Sequence, residues 1–193
     1  MAEGQTGEGA LVATLNDLLQ LDHDAVQAYT LAMALVSDGT YHQTLAGFRD
    51  DHERHVRELS QLIRAHGGTP IQLPHLPTGP FKLAMQGLGA AAGDRGVLLA
   101  YKTNEGQVRE NYRRESEKAW PPDVQPVLAR AAHDEQLHYD WVEQELTRLG
   151  HGSGTVSGTA QQAVEAVNRR VADAVEGLER GAMRAVEELR RGE

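Results

Sequence analysis

Six side chains with metal-binding chemistry occupy positions where a helical pattern calls for apolar residues. Asp22 falls between Leu18 and Ala25, and Glu105 between Tyr101 and Val108. His52 and His55 fall between Phe48 and Leu59, while Glu135 and His138 fall between Ala131 and Val142. Residues three apart share a helix face, so each of these two pairs can reach one point. Three carboxylates buried without partners would each cost roughly several kcal/mol, so such groups pair with one another or hold a cation. The chain has no cysteine, which leaves oxygen and nitrogen ligands only. Carboxylates with imidazoles suit iron or manganese, and also zinc. The ligating forms are ionised carboxylate and neutral imidazole, so binding is expected to weaken in acid.

The spacing of these residues repeats. Asp22 and Glu105, Tyr29 and Tyr112, His52 and Glu135, and His55 and His138 are all separated by 83 positions. Asp51 and Asp134, Leu45 and Leu128, Ile63 and Leu146, and Gly67 and Gly150 obey the same offset. The match has exceptions, since Leu62 falls opposite Glu145. Asp51 and Asp134 sit about 100° around the helix from the stripe, which suits an exposed group or one that orients a histidine. The pattern reads as two helical hairpins built on one plan.

The elements that would carry these residues follow from apolar periodicity. A first stripe begins at Leu11 and runs to Val36, and a second includes Leu45, Phe48, Leu59 and Leu62. Ser37-Asp38-Gly39 makes a turn in which Asp38 or Thr40 can cap the second helix. Gly67-Gly68-Thr69-Pro70 is a helix stop. Residues 68–93 hold four prolines and many glycines, and read as a long connection with one short helix near Phe81–Leu88. A third helix starts near Asp94 and carries Leu98, Tyr101, Glu105, Val108 and Tyr112. After Pro121-Pro122-Asp123 a fourth carries Val124, Leu128, Ala131, Glu135, His138, Val142, Leu146 and Leu149. A helix of about 26 residues is about 39 Å long at 1.5 Å per residue, and the central connection is long enough to run that length. Two short-turn hairpins joined by a long crossover make an all-α four-helix bundle over 11–150. Residues 1–10 read as a flexible N-terminus and 151–158 as a linker. Residues 159–193, with Val164, Val167, Val171, Ala174 and Leu178 at near-heptad spacing, read as a C-terminal amphipathic helix.

A carboxylate seven residues before a tyrosine, followed on the next helix by a Glu-x-x-His-like pair and repeated twice, resembles the ferritin-like diiron family, which includes rubrerythrins and bacterioferritins. The resemblance covers roughly residues 11–150. It implies a ferritin-like bundle in which Asp22, His52, His55, Glu105, Glu135 and His138 are the metal ligands. Tyr29 and Tyr112 would orient those ligands or carry electrons. The implied activity is that of an iron protein, a ferroxidase or a peroxide-reducing oxidoreductase of oxidative-stress chemistry. Two positions depart from the family's pattern. Asp22 stands where the family has Glu, and His52 stands where the first Glu-x-x-His motif has its Glu. Three carboxylates leave a net charge of +1 with two divalent ions, so the site can be read as mononuclear, lopsided or dinuclear.

Composition sets the remaining bounds. The net charge of −9 speaks against a nucleic-acid surface, which needs clustered Lys and Arg. No apolar run approaches the roughly 20 residues of a membrane span, and the Gly-rich acidic start lacks signal-peptide character. A cytoplasmic location is therefore expected, with a homo-oligomer or a protein partner on the C-terminal helix as the expected assembly. Two other readings remain open at this point. One is a structural or interaction module with a degenerate metal site, and the other is non-redox zinc binding.

Overall fold

A computed structural model describes residues 2–72 and 79–150, with side chains described for 7–72 and 93–150. The expected linker at 151–158 and C-terminal helix at 159–193 lie outside the described residues. The described chain forms four helices: α1 (Ala2–Leu35), α2 (Gly39–Ala65), α3 (Gly79–Ser116) and α4 (Gln125–Arg148). None of them is long and apolar enough to cross a membrane.

The helix boundaries obey local chemistry. Asp38 caps α2, its Oδ1 accepting from the Thr40 N–H at 2.7 Å and the Tyr41 N–H at 3.4 Å. At the other end Gly67 has φ of 75°, and the Gly68 N–H donates to the Ile63 carbonyl at 2.8 Å. That left-handed glycine closes the last turn and satisfies carbonyls the helix leaves free. Gly68 itself is pressed against α1, because a Cβ there would lie 2.5 Å from a Val12 methyl. α3 breaks at Gly93, whose φ of 59° and ψ of −147° are not helical. This break separates the short helix expected near Phe81 from the long one expected from Asp94. α1 extends ahead of the Leu11 stripe, through the segment expected to be a flexible N-terminus. Residues 7–10 of it are exposed, so no buried face marks them in the sequence.

α1 packs on α2 and on α3, and α4 packs on α3 and on α2, closing a ring of four. Neighbours run antiparallel. Tyr41 meets Glu145 at one end of the α2–α4 pair, and His66 meets Asp123 at the other. The α1–α2 turn is tied to the start of the long part of α3 by Asp94, whose carboxylate accepts from the Ser37 and Asp38 N–H groups at 2.8 and 2.9 Å. The end of α2 instead lies beside the early part of α1, where Asn16 bonds Thr69 and Ile71. The connection from α2 to α3 therefore runs the length of the bundle, as its composition suggested.

Two apolar clusters fill the interior. One gathers Tyr29, Tyr41, Leu45, Leu98, Tyr101 and Val142 with their neighbours. The other gathers Leu15, Leu19, Leu59, Ile63, Tyr112 and Leu128 with theirs. The six polar stripe residues form a layer between them. Close-packed apolar side chains above and below hold that layer dry and fix its rotamers.

Candidate metal centre

All six sequence-selected polar residues converge, and each is at most 1% exposed. They form two overlapping groups, Asp22–His52–His55–Glu135 and His52–Glu105–Glu135–His138. In the first, His52 Nδ1 lies 2.8 Å from Asp22 Oδ1 and 3.5 Å from Glu135 Oε1. His55 Nδ1 lies 3.3 Å from Asp22 Oδ1 and 3.5 Å from Glu135 Oε1. Ligand atoms about 2.1 Å from one ion stand about 3–3.4 Å from each other, so this group is already near coordinating geometry. The second group is wider. His138 Nδ1 is 3.7 Å from Glu105 Oε2 and 3.8 Å from Glu135 Oε2. Glu135 thus turns one oxygen towards each group.

The two outward-facing histidine nitrogens are held crosswise. His55 Nε2 meets Asp134 at 3.2 Å, and His138 Nε2 meets Asp51 at 3.2 Å. Each hairpin supplies the carboxylate that orients the other hairpin's imidazole, leaving Nδ1 to face inward. A single guanidinium, Arg54, bridges both carboxylates, at 2.6 Å to Asp51 and 2.7 Å to Asp134. The sequence left Asp51 and Asp134 as either exposed groups or groups that orient a histidine, and nothing in it marked Arg54. Its counterpart is Leu137, which is exposed, so no repeat marked it. The two tyrosines also border the centre. Tyr112 donates a short hydrogen bond to Asp22, and the Tyr29 hydroxyl lies 3.4 Å from His138 Nδ1.

The electrostatics of the metal-free centre follow from burial and these contacts. Burial would raise Asp22, but hydrogen bonds from His52 and His55 outweigh it and hold the carboxyl below its usual range. Burial would lower His55, yet the Asp134 and Asp22 carboxylates hold the imidazole up at about 9. Burial raises Glu105, opposed by His138 and His52. Burial, then the charges of Glu105 and Asp22, pushes Glu135 well above the ordinary range. Outside the layer, the hydrogen bond with His138, opposed by burial and aided by Arg54, brings Asp51 to about 2. The layer therefore stores protons where a cation would otherwise balance its charge.

Polar atoms in the layer are left over. Both oxygens of Glu105, both of Glu135 and Nε2 of His52 are buried with no hydrogen-bond partner. Unsatisfied buried acceptors are rare and costly in folded proteins. Hard oxygen and borderline nitrogen donors at this spacing fit a divalent first-row ion, which would satisfy those atoms. The oriented histidines carry a direct prediction. Asp134→Asn and Asp51→Asn should each weaken metal affinity by about 10–100-fold, because the imidazole loses its anionic support. Competition against a chromophoric chelator measures this, and unchanged affinity in both variants would remove the orienting role.

Other described histidines lie outside the two groups. His42 and His133 are exposed, and His66 pairs with Asp123 at 3.0 Å near the end of α2. A family model described as a domain of unknown function (DUF2383) matches residues 10–74, which span α2 and most of α1. No curated protein and no solved structure matches the chain.

Proposed function

We propose that this protein binds iron at the six-residue layer and uses it for oxidation chemistry, either oxidising Fe(II) with dioxygen or reducing peroxide. The single observation that carries the reading is the pair of overlapping His/carboxylate groups in which the Glu105 and Glu135 oxygens lack a hydrogen-bond partner. The first ion is held by Asp22, His52, His55 and Glu135, where ligand atoms already converge. A second position at Glu105 and His138 is weaker, since it shares Glu135 and His52 with the first. When bound, iron supplies one-electron chemistry and a site for oxygen or peroxide to react. The surrounding chain excludes bulk water, orients the imidazoles through Asp51 and Asp134, and places the Tyr29 and Tyr112 hydroxyls beside the ligands. Zinc remains the second reading, because two nitrogens and two oxygens near tetrahedral spacing also suit it.

The test is anaerobic loading of the full chain with Fe(II), followed by hydrogen peroxide or air in a stopped-flow spectrometer. Ferric absorbance should rise much faster than for the same iron in buffer. Oxidation no faster than in buffer, with zinc bound more tightly than Fe(II), would shift the assignment to a non-redox zinc site.

Proton linkage gives a second prediction. His55 in the metal-free fold titrates at about 9, above its ordinary 6.5. A raised imidazole stabilises the fold fully below 6.5, and that contribution is lost as pH rises through 9. The metal-free protein should therefore lose thermal stability between pH 6.5 and 9. Over the same window metal affinity should rise, because His55 must shed its proton to ligate. Melting curves with and without metal at several pH values should diverge steadily. A metal-free midpoint that stays level across the window would contradict the charged His55.

A further inference from the structure

The pseudo-repeat separates residues the fold needs from residues that one half alone possesses. Core and centre positions have counterparts of matching kind: Leu45 with Leu128, Ile63 with Leu146, Asp22 with Glu105, Tyr29 with Tyr112. A contiguous file of side chains breaks that rule. Phe48 lies against the imidazole of His138, ring centres 4.1 Å apart. Trp141 is 5.5 Å from Phe48 in an edge contact, and Tyr41 is 5.8 Å from Trp141 in another. The Tyr41 hydroxyl donates to Glu145 Oε2 at 3.1 Å and accepts from Arg148 Nη2 at 2.6 Å. The side chain of Arg148 is 61% exposed, so the file ends at the surface. At the 83-residue offset these five positions hold Ala131 for Phe48, Glu58 for Trp141, Val124 for Tyr41, Leu62 for Glu145 and Ala65 for Arg148. The five counterpart positions in the other half thus hold no aromatic, and the aromatics there, Tyr112 and Trp120, stand at other positions. Packing alone does not demand the file.

We propose that Phe48, Trp141 and Tyr41 form an electron path from the metal centre to the surface, with Tyr41 as its redox-active end and Glu145 as its proton acceptor. The proposal rests on the iron reading above and deepens it. Reduction of one hydrogen peroxide to two waters takes two electrons and two protons. A single ferrous-to-ferric change gives one electron, and a centre with one tight ion lacks the second. Tyr41 supplies it: the phenol loses one electron inward through Trp141, Phe48 and His138 to His52, whose ring centre lies 5.4 Å from that of His138, and its hydroxyl proton passes to Glu145. The products are a ferric ion, a neutral Tyr41 phenoxyl radical, protonated Glu145 and two waters, the two protons for water coming from solvent. A one-electron reductant of small size, such as an ascorbate-like enediol or a thiol, then docks at the exposed Arg148 and restores Tyr41 buried beneath it, and Glu145 returns the proton.

The path is tested on the full chain loaded anaerobically with one equivalent of Fe(II), with bound iron measured before one equivalent of peroxide is added. Samples frozen within tens of milliseconds are read by electron paramagnetic resonance. Wild type should show a tyrosyl radical, and one iron should be oxidised per peroxide. Tyr41→Phe should lose the radical and shift towards two irons per peroxide. Trp141→Leu should form the radical at least tenfold more slowly, whereas Trp141→Phe should fall between. An equal tyrosyl signal in Tyr41→Phe would place the radical elsewhere and overturn the path, as would iron oxidation with no radical in wild type. Absence of bound iron before peroxide is added would instead overturn the functional reading itself.

Discussion

Glu135→Gln is expected to weaken metal binding by at least about a hundredfold and, at the same time, to raise the melting temperature of the metal-free protein by a few degrees. Both effects have one origin. Glu135 directs Oε1 at His52 and His55 and Oε2 at His138, so it is the carboxylate common to both groups that could hold a cation. A neutral amide of equal size keeps the packing and removes the charge that an ion needs. In the metal-free fold the same carboxyl is a burden, since Glu135 is buried, lacks a hydrogen-bond partner, and is pushed towards its protonated form by burial and by Glu105 and Asp22. An amide can donate to those neighbours, and relief of one unsatisfied buried group is worth about 1–3 kcal/mol. Function and stability are opposed at this residue, as at many sites built for a ligand. Calorimetric titration and a melting curve on one preparation measure both arms. A variant that loses stability while keeping metal would show that Glu135 is a structural group.

His52→Glu should have the largest effect on stoichiometry, from one tightly held ion towards two. His52 occupies the position related by the repeat to Glu135, so the variant places a second bridging-type carboxylate across the layer. Charge favours the change: three carboxylates leave +1 with two divalent ions, and four leave none. Geometry favours it too. Paired ions bridged by carboxylates sit about 3.5–4 Å apart, whereas the two nitrogens of an imidazole point along diverging lines. His52 Nδ1 is committed to the Asp22 side, and Nε2 has no hydrogen-bond partner. The cost falls on the metal-free fold, where a fourth carboxylate replaces an imidazole hydrogen-bonded to Asp22. A lower metal-free melting temperature, restored on loading, is the accompanying result. One ion per chain in His52→Glu, at unchanged affinity, would show that His52 does not limit the site.

Much of this layout is legible in the sequence because two independent periodicities coincide. Helical spacing put Asp22, His52, His55, Glu105, Glu135 and His138 on inward stripes, and the 83-residue offset paired them across hairpins. Burial and convergence followed together. The crossover was legible through Gly and Pro content, since such a stretch cannot continue α2 and is too long for a tight turn. The crosswise bonding of Asp51 to His138 and of Asp134 to His55 was only half legible. The offset linked the two aspartates, but which histidine each would meet depends on how the hairpins pack. Arg54 and the Tyr41–Glu145–Arg148 group escaped detection because they have no repeat partner. The mismatch of Leu62 with Glu145 was the one trace of the latter group, and it looked like noise without the fold. The helical start at Ala2 had no signal either, because residues 7–10 are exposed and impose no apolar period.

A lopsided centre is tested most directly by metal content per chain after anaerobic Fe(II) loading and removal of free ion by gel filtration. Wild type is compared with an Asp22→Asn/His55→Gln variant and a Glu105→Gln/His138→Gln variant. One iron should be retained in wild type, lost in the first variant and retained in the second. No iron in wild type, or equal loss from both variants, would contradict a lopsided centre anchored by Asp22, His52, His55 and Glu135.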